Sequence, residues 1–241
     1  KDIVFPKKCF LSGSVVIAGA GPGNPDLLTL KVFYSIKYAD VIIYDGLVNK
    51  NIINFASKTA KLIFAGKSSL NKSCTQEDIN KWMVFYAKKN KKVLRLKSGD
   101  PSVFGRGAEE IEFLKINKIP FKIYSGITAS QEALNILKKE NIINNEFCII
   151  TGHKAINSNT PQLDYKSLSK SSKRIIIYMG LSQLNFVAKK LIENGKKKET
   201  KVEIVKDISL RSQKKIITNL EDCLNNNEKF GLKPPVIIII N

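Results

Sequence analysis

Short apolar runs alternate with helix-period stretches along almost the whole chain, and this alternation limits its possible folds more than any other feature. "VVIAGA" (15–20), "DVIIYD" (40–45), "KLIFAG" (61–66), "KVLRLK" (92–97) and "FKIYS" (121–125) are rich in Val, Ile and aromatic residues, the composition of buried strands. Helical stretches separate them at 26–38, about 49–56, 76–89 and 105–117. A second series follows: helix 128–139, strands 147–151 and 174–180, helix 182–194, strand 201–205, helix 218–226 and strand 235–240, with a polar loop over 152–172. The pattern predicts an α/β fold with a largely parallel sheet flanked by helices. A chain of 241 residues fits one large or two small domains. The break near 125, where a strand ends and a helix opens, divides it into 1–125 and 126–241.

With 43% hydrophobic and 25% charged residues, the chain can bury a core. Cys9, Cys74, Cys148 and Cys223 lie far apart with no CxxC pair, which fits neither a zinc site nor a disulfide scaffold. A reducing compartment is expected: the cytoplasm, or an organelle stroma or matrix. His153 is the only histidine, which argues against a metal site. Apolar runs such as "VIIII" (236–240) are too short to span a bilayer. The chain begins at Lys1 without a methionine and is expected to be a processed, trimmed or partial sequence. Its formal net charge of +19 suits an anionic partner: nucleic acid, a membrane surface or a polycarboxylate. Runs such as "KKNKK" (88–92) fit a solvated face equally well, and no basic patch is interleaved with aromatics.

In "SVVIAGAGPGNPDLLTLK" (14–31), Gly19, Gly21 and Gly23 fall at alternate positions. A dinucleotide-binding turn needs its last glycine at 24, where the chain has Asn24, and Pro22 stiffens the turn. Asn24 as cap, Pro25 in the first helical position and Asp26 against the helix dipole place the helix start at 25. The turn is tight but is no pyrophosphate cradle.

Read in order, "GAGPGNPDLLTLK", "ADVIIYDGLV" (39–48), "AGK" (65–67), "LKSGDPSVFGRGAEE" (96–110), "SGITAS" (125–130), "TGH" (151–153) and "YMGL" (178–181) resemble the tetrapyrrole methylases, from about Val15 to Ile240. "VFGRGAEE" and "YDGLV" are most similar to the branch that methylates uroporphyrinogen III at carbon, twice, to give precorrin-2 for sirohaem or cobalamin. The resemblance implies two α/β domains, each a mixed, largely parallel sheet flanked by helices, with S-adenosylmethionine as methyl donor, no metal and a homodimer. It implies that Pro22, Ser98, Gly99, Asp100, Val103, Thr128, Ala129, Met179 and the position of Ile208 line the cofactor site. It also implies Asp45 as proton acceptor with Lys67 as its partner, and Arg106 and Glu109 as further catalytic candidates. A polycarboxylate tetrapyrrole would give the basic charge a use, and is preferred to nucleic acid or membrane. No dehydrogenase or ferrochelatase region fits in the chain, so those steps would need other proteins.

Without the resemblance, Asp45 reads as a helix cap, Lys67 as a surface lysine, and Arg106–Glu109 as an i,i+3 ion pair. Several positions depart from the family pattern. Gly46 stands for an arginine, Ser98 for a glycine, Ser125 for a proline and Ile208 for a glycine, while "KSSLNKS" (67–73) and "KENIINNEF" (139–147) replace the usual loops. Gln213 keeps its spacing from Ser209, and the chain stops at Asn241 where the family continues. A methylase of a later corrin precursor, an RNA-directed methylase on the same fold, and an inactive relative are the alternatives.

Overall fold

The structure is a computed structural model and describes residues 10–66, 74–138, 146–152, 163–171, 173–225 and 230–241. The chain divides into two compact units, Lys1–Thr128 and Ala129–Asn241. In the first, β1 (Ser14–Gly19), β2 (Val41–Tyr44), β3 (Lys61–Phe64), β4 (Lys92–Lys97) and β5 (Phe121–Tyr124) alternate with α1 (Leu30–Tyr38), α2 (Lys50–Ile53), α3 (Gln76–Lys88) and α4 (Gly107–Ile116). The strand order is β3-β2-β4-β1-β5, and every pairing is parallel. One face packs Val16, Ala18, Ile42, Leu94 and Leu96 against Val32 and Ile36 of α1 and Ile52 of α2. The other packs Val15, Ile17, Val41, Ile43 and Val93 against Ile79 and Met83 of α3 and Leu114 of α4. Cover on both faces is why β1 and β2 read as nearly unbroken apolar runs.

The first helix starts later than its cap signals imply. The Asn24 side chain accepts from the Asp26 N–H, but Pro25–Leu27 makes only one 3-10 turn. Leu28 is extended and packs on the core, and Thr29 then caps α1 through the Val32 N–H. Burying Leu28 outweighs continuing the helix.

The second unit comprises α5 (Ala129–Lys138), β6 (Phe147–Thr151), α6 (Tyr165–Lys170), β7 (Arg174–Tyr178), α7 (Leu184–Glu193), β8 (Lys201–Lys206), β9 (Lys214–Asn219), α8 (Leu220–Asn225) and β10 (Val236–Ile240). Its order is β6-β7-β10-β8-β9. The α/β class and one sheet per unit match the sequence reading, but "largely parallel" describes only the first sheet. Here β6–β7 is parallel, whereas β7–β10, β10–β8 and β8–β9 are antiparallel. The link from β8 to β9 is too short for the helical crossover that parallel neighbours require, and β10 inserts between β7 and β8. Strand β9 and helix α6 both lie where the sequence reading had no such element.

Candidate active site

Strand period two puts residues 41, 43 and 45 on the same side of the sheet as residues 93, 95 and 97, because Ile43 pairs with Arg95. That side is covered by α3 and α4, so Arg95 (2% exposed) and Lys97 (4% exposed) are buried beneath helices. Each finds a partner there. Glu110 of α4, fully buried, accepts through Oε1 from Arg95 Nε at 2.9 Å, Lys97 Nζ at 3.0 Å and Gln76 Nε2 at 3.2 Å. Arg95 Nη2 donates to Asp45 Oδ1, and Nη1 points to the carbonyl oxygens of Ile43 and Leu96, both at 3.4 Å. Two cations and two anions balance, the condition under which such charges can be buried. Burial works against the Arg95 charge, but Asp45 and Glu110 outweigh it and hold the guanidinium pKa above its ordinary value. Burial first, and Arg95 second, push the Lys97 ammonium pKa down.

Asp45 is the member of this array that reaches the surface, its side chain 30% exposed. It borders an open pocket of about 500 Å³ lined by Gly46, Leu47, Ala65 and Gly66. A Cβ on Gly66 would lie 2.5 Å from the Phe64 ring and 2.7 Å from Gly46 Cα, so the loops after β2 and β3 touch there. Lys67 and His153 lie outside the described residues.

A second group of predicted residues gathers where β1, β4 and β5 end. Gly21 and Gly99 form an isolated antiparallel bridge, with N–H···O distances of 3.2 and 2.8 Å. Asp100 accepts from the Ser102 N–H at 2.8 Å and the Gly126 N–H at 3.0 Å, so its carboxylate ties these loops together. A Cβ on Gly19 or on Gly126 would sit 2.3 Å from the Gly99 carbonyl oxygen. Gly99 itself, at φ +66°, has nothing among the described residues within 4 Å of where its Cβ would be. The result is a platform of close-packed backbone with open space above Gly99, flanked by half-buried Pro22, Ser98 and Val103. Thr128 ends the first unit and Ala129 opens α5 of the second.

Arg106 caps α4 in a left-handed conformation, φ +53°. Its Nε and Nη2 donate to Glu109 Oε1 and Oε2 at 2.9 and 2.7 Å, a two-pronged pair at an exposed position. Hydrogen bonding to Glu109 raises the Arg106 pKa, and the same contact lowers that of Glu109. In the second unit, Met179 follows β7 at φ +50° and is 44% exposed. Ile208 is flanked by left-handed Asp207 and Ser209, and its side chain packs into the core with Ile176, Val205, Ile237 and Ile239. The Ser209 N–H donates to Gln213 Oε1 at 2.9 Å, which accounts for the spacing seen in the sequence.

Among the described residues, seven non-glycine positions have positive φ. Asn90 and Lys118 follow helix ends, an ordinary place for it. The other five, Phe104, Arg106, Met179, Asp207 and Ser209, lie on the predicted site loops. Backbone strain of this kind is retained where surrounding structure and function hold it in place. Sequence reasoning missed Arg95, Lys97 and Glu110. Two bases at alternate positions in an otherwise apolar central strand were the available signal.

The family model for tetrapyrrole (corrin/porphyrin) methylases matches residues 14–224. The uroporphyrinogen-III C-methyltransferase of Methanocaldococcus jannaschii is 39% identical over 95% of this chain and 96% of its own. That of Bacillus subtilis is 38% identical over 95% and 90%. A siroheme synthase of Nitrosomonas europaea is 37% identical over 96% of this chain and 49% of its own. Among solved structures, the Thermus thermophilus uroporphyrin-III C-methyltransferase complexed with S-adenosylhomocysteine aligns with a TM-score of 0.76 and 25% identity, covering 95% of this chain and 92% of that one.

Proposed function

The chain belongs to the tetrapyrrole methylase family, and from that premise we propose that it methylates uroporphyrinogen III twice at carbon, using S-adenosylmethionine, to give precorrin-2. The observation that carries this reading is the nearly end-to-end match to two relatives of that name. The glycine platform fits the donor, because bare backbone with open space above Gly99 admits a ligand that side chains would exclude. Pro22, Ser98, Gly99, Val103 and Thr128 of the first unit would hold it, with Asp100 fixing the loops; Ala129, Met179 and the Ile208 turn are the second unit's own candidates. When bound, the donor supplies an electrophilic methyl group on a sulfonium.

The chain's own work is to align and to move a proton. With the donor bound, a pyrrole carbon would take its methyl group as the carbon–sulfur bond gave its electron pair to sulfur. The methylated ring is left cationic and loses a proton, which the Asp45 carboxylate accepts, with Lys67 as its partner. Arg106, held by Glu109, grips a substrate carboxylate through its planar fork. The +19 charge favours capture of a substrate that carries many carboxylates. A homodimer is part of the same proposal.

The test is an anaerobic assay with S-adenosylmethionine and uroporphyrinogen III. Two methyl groups per ring are expected. Asp45→Asn should lower kcat by about 100-fold or more, while Arg106→Ala should chiefly raise KM. Binding of S-adenosylhomocysteine without turnover would point to a later corrin precursor. RNA retention that survives moderate salt would favour the RNA-directed alternative, because purely phosphate-driven binding weakens steeply with salt.

A further inference from the structure

Asp45 is held from behind by a side chain that solvent cannot reach. Arg95 contacts four groups at once: Asp45 Oδ1, Glu110 Oε1 and the carbonyl oxygens of Ile43 and Leu96. Its planar fork is therefore fixed along three edges, and the carboxylate it grips is fixed with it. Glu110 anchors the other end from α4, joined by Lys97 of β4 and Gln76 of α3.

We propose that Arg95 and Glu110 are positioning residues that act on methyl transfer through Asp45, a role that rests on the reading of Asp45 as the proton acceptor. Stability alone is a poor reason to keep four charges here, since well-packed apolar residues often replace a buried ion array at no loss. Orientation is a better one. Of the array's four charged groups Asp45 alone is substantially exposed, and it borders the open pocket. The Glu110 geometry is asymmetric in a way that suits an anchor: Oε1 accepts three donors, whereas Oε2 is buried without a partner among the described residues. Three elements thus converge on one oxygen atom, and the direction of the Arg95 side chain follows from where that atom sits. A lysine at 95 keeps the charge but cannot span Glu110 and Asp45 together.

The test uses the full chain with Arg95→Lys and Glu110→Gln, each alone and combined with Asp45→Asn. Methyl incorporation is followed with labelled donor, alongside S-adenosylhomocysteine affinity by calorimetry and thermal melting. Arg95→Lys is expected to lower kcat by about 10- to 100-fold, the scale set by misplacing a catalytic group. KM and S-adenosylhomocysteine affinity should stay within about two-fold, as for a change confined to orienting the base. In the Asp45→Asn background the same substitution should change the rate by less than about two-fold, because residues acting as one unit are not additive. Equal losses in both backgrounds, or an unchanged kcat, would overturn the proposal. Should Arg95→Lys fail to melt cooperatively, the near-isosteric Glu110→Gln carries the same comparison; if neither folds, the array is a stability element and the proposal falls. An Asp45→Asn enzyme with near-normal kcat would instead sink the reading of Asp45, leaving the two failures distinguishable.

Discussion

At the centre of the first sheet, β4 carries Arg95 and Lys97 under two helices, whereas at the centre of the second, β7 and β10 lay Ile175–Ile177 against Ile237–Ile240, all at most 3% exposed. The contrast follows from how each sheet is covered. In the first unit α4 brings Glu110 and α3 brings Gln76 to the buried face, so charges on β4 find partners without water. In the second, among the described residues, the one fully buried charge is Glu203 of β8, and its partners arrive from the rim. Lys201 and Lys215 reach Glu203 Oε1 at 2.5 and 3.2 Å while remaining 37% and 23% exposed. Long lysine stems allow this, with the stem on the protein and the ammonium near solvent. A buried charge can thus be interlocked or merely visited, and only the interlocked kind can orient a neighbour.

Removing one charge from each sheet tests that distinction with the largest effect. Arg95→Met takes from Asp45 its buried partner and leaves Glu110 with Lys97 as its one cation among the described residues, and should destabilise the chain by about 3–5 kcal/mol. Glu203→Gln lets two lysines return to water and should cost within about 1 kcal/mol. Chemical denaturation measures both. Equal costs would mean that the two arrays do not differ in kind.

The glycines offer a second, intermediate contrast. A methyl group on Gly126 meets the Gly99 and Gly19 carbonyl oxygens at 2.3 and 2.5 Å, so Gly126→Ala must spread the platform. Overpacking of this sort costs about 1–3 kcal/mol, and S-adenosylhomocysteine binding should weaken by about tenfold, the equivalent of 1.4 kcal/mol. At Gly46 the nearest atoms lie at 3.5 Å and the backbone is not left-handed. Gly46→Arg should therefore fold normally and, by restoring the arginine of the family pattern, lower KM for the polycarboxylate substrate a few-fold. Tolerance at 126 would show that the three loops are free to separate.

The ladder of strands was legible because most central strands are rich in Val and Ile and lie between stretches with helical periodicity. Strand β9 was not. In "KKIITN" most positions are polar, and an edge strand with lysines resembles a solvated loop until its partner is known. Sheet order was also hidden, since hydrogen-bond partners are set by crossovers that local composition does not encode. The site divided in the same way. Asp45, Arg106 and Glu109 were proposed through motif order, and the choice of Glu109 over Glu110 as the notable acid depended on motif alone. Helix periodicity turns Glu110 inward with Leu114 and leaves Glu109 on the surface with Arg106. Arg95 was overlooked because "KVLRLK" was read only as a strand, and pairing with Asp45 across 50 residues has no local trace.

Met179 gives the finest test, because it holds with a side chain the left-handed backbone that Gly21 and Gly99 of the first unit hold without one. Gly21 and Gly99 adopt left-handed φ without penalty, but Met179 adopts +50° with a side chain and little burial to compensate. Relieving that strain contributes about 1–3 kcal/mol, and the extra backbone entropy of glycine takes back roughly 0.5–1 kcal/mol. Met179→Gly should therefore leave the melting midpoint unchanged or raise it by a few degrees. If the side chain is kept for the donor, S-adenosylhomocysteine affinity should fall several-fold in the same variant, with no gain in activity. A lower midpoint would mean that Met179 packs within its own unit and that its backbone strain serves the fold. A higher midpoint with unchanged affinity would remove it from the site, leaving the Asp207–Ser209 turn as the second unit's strained element.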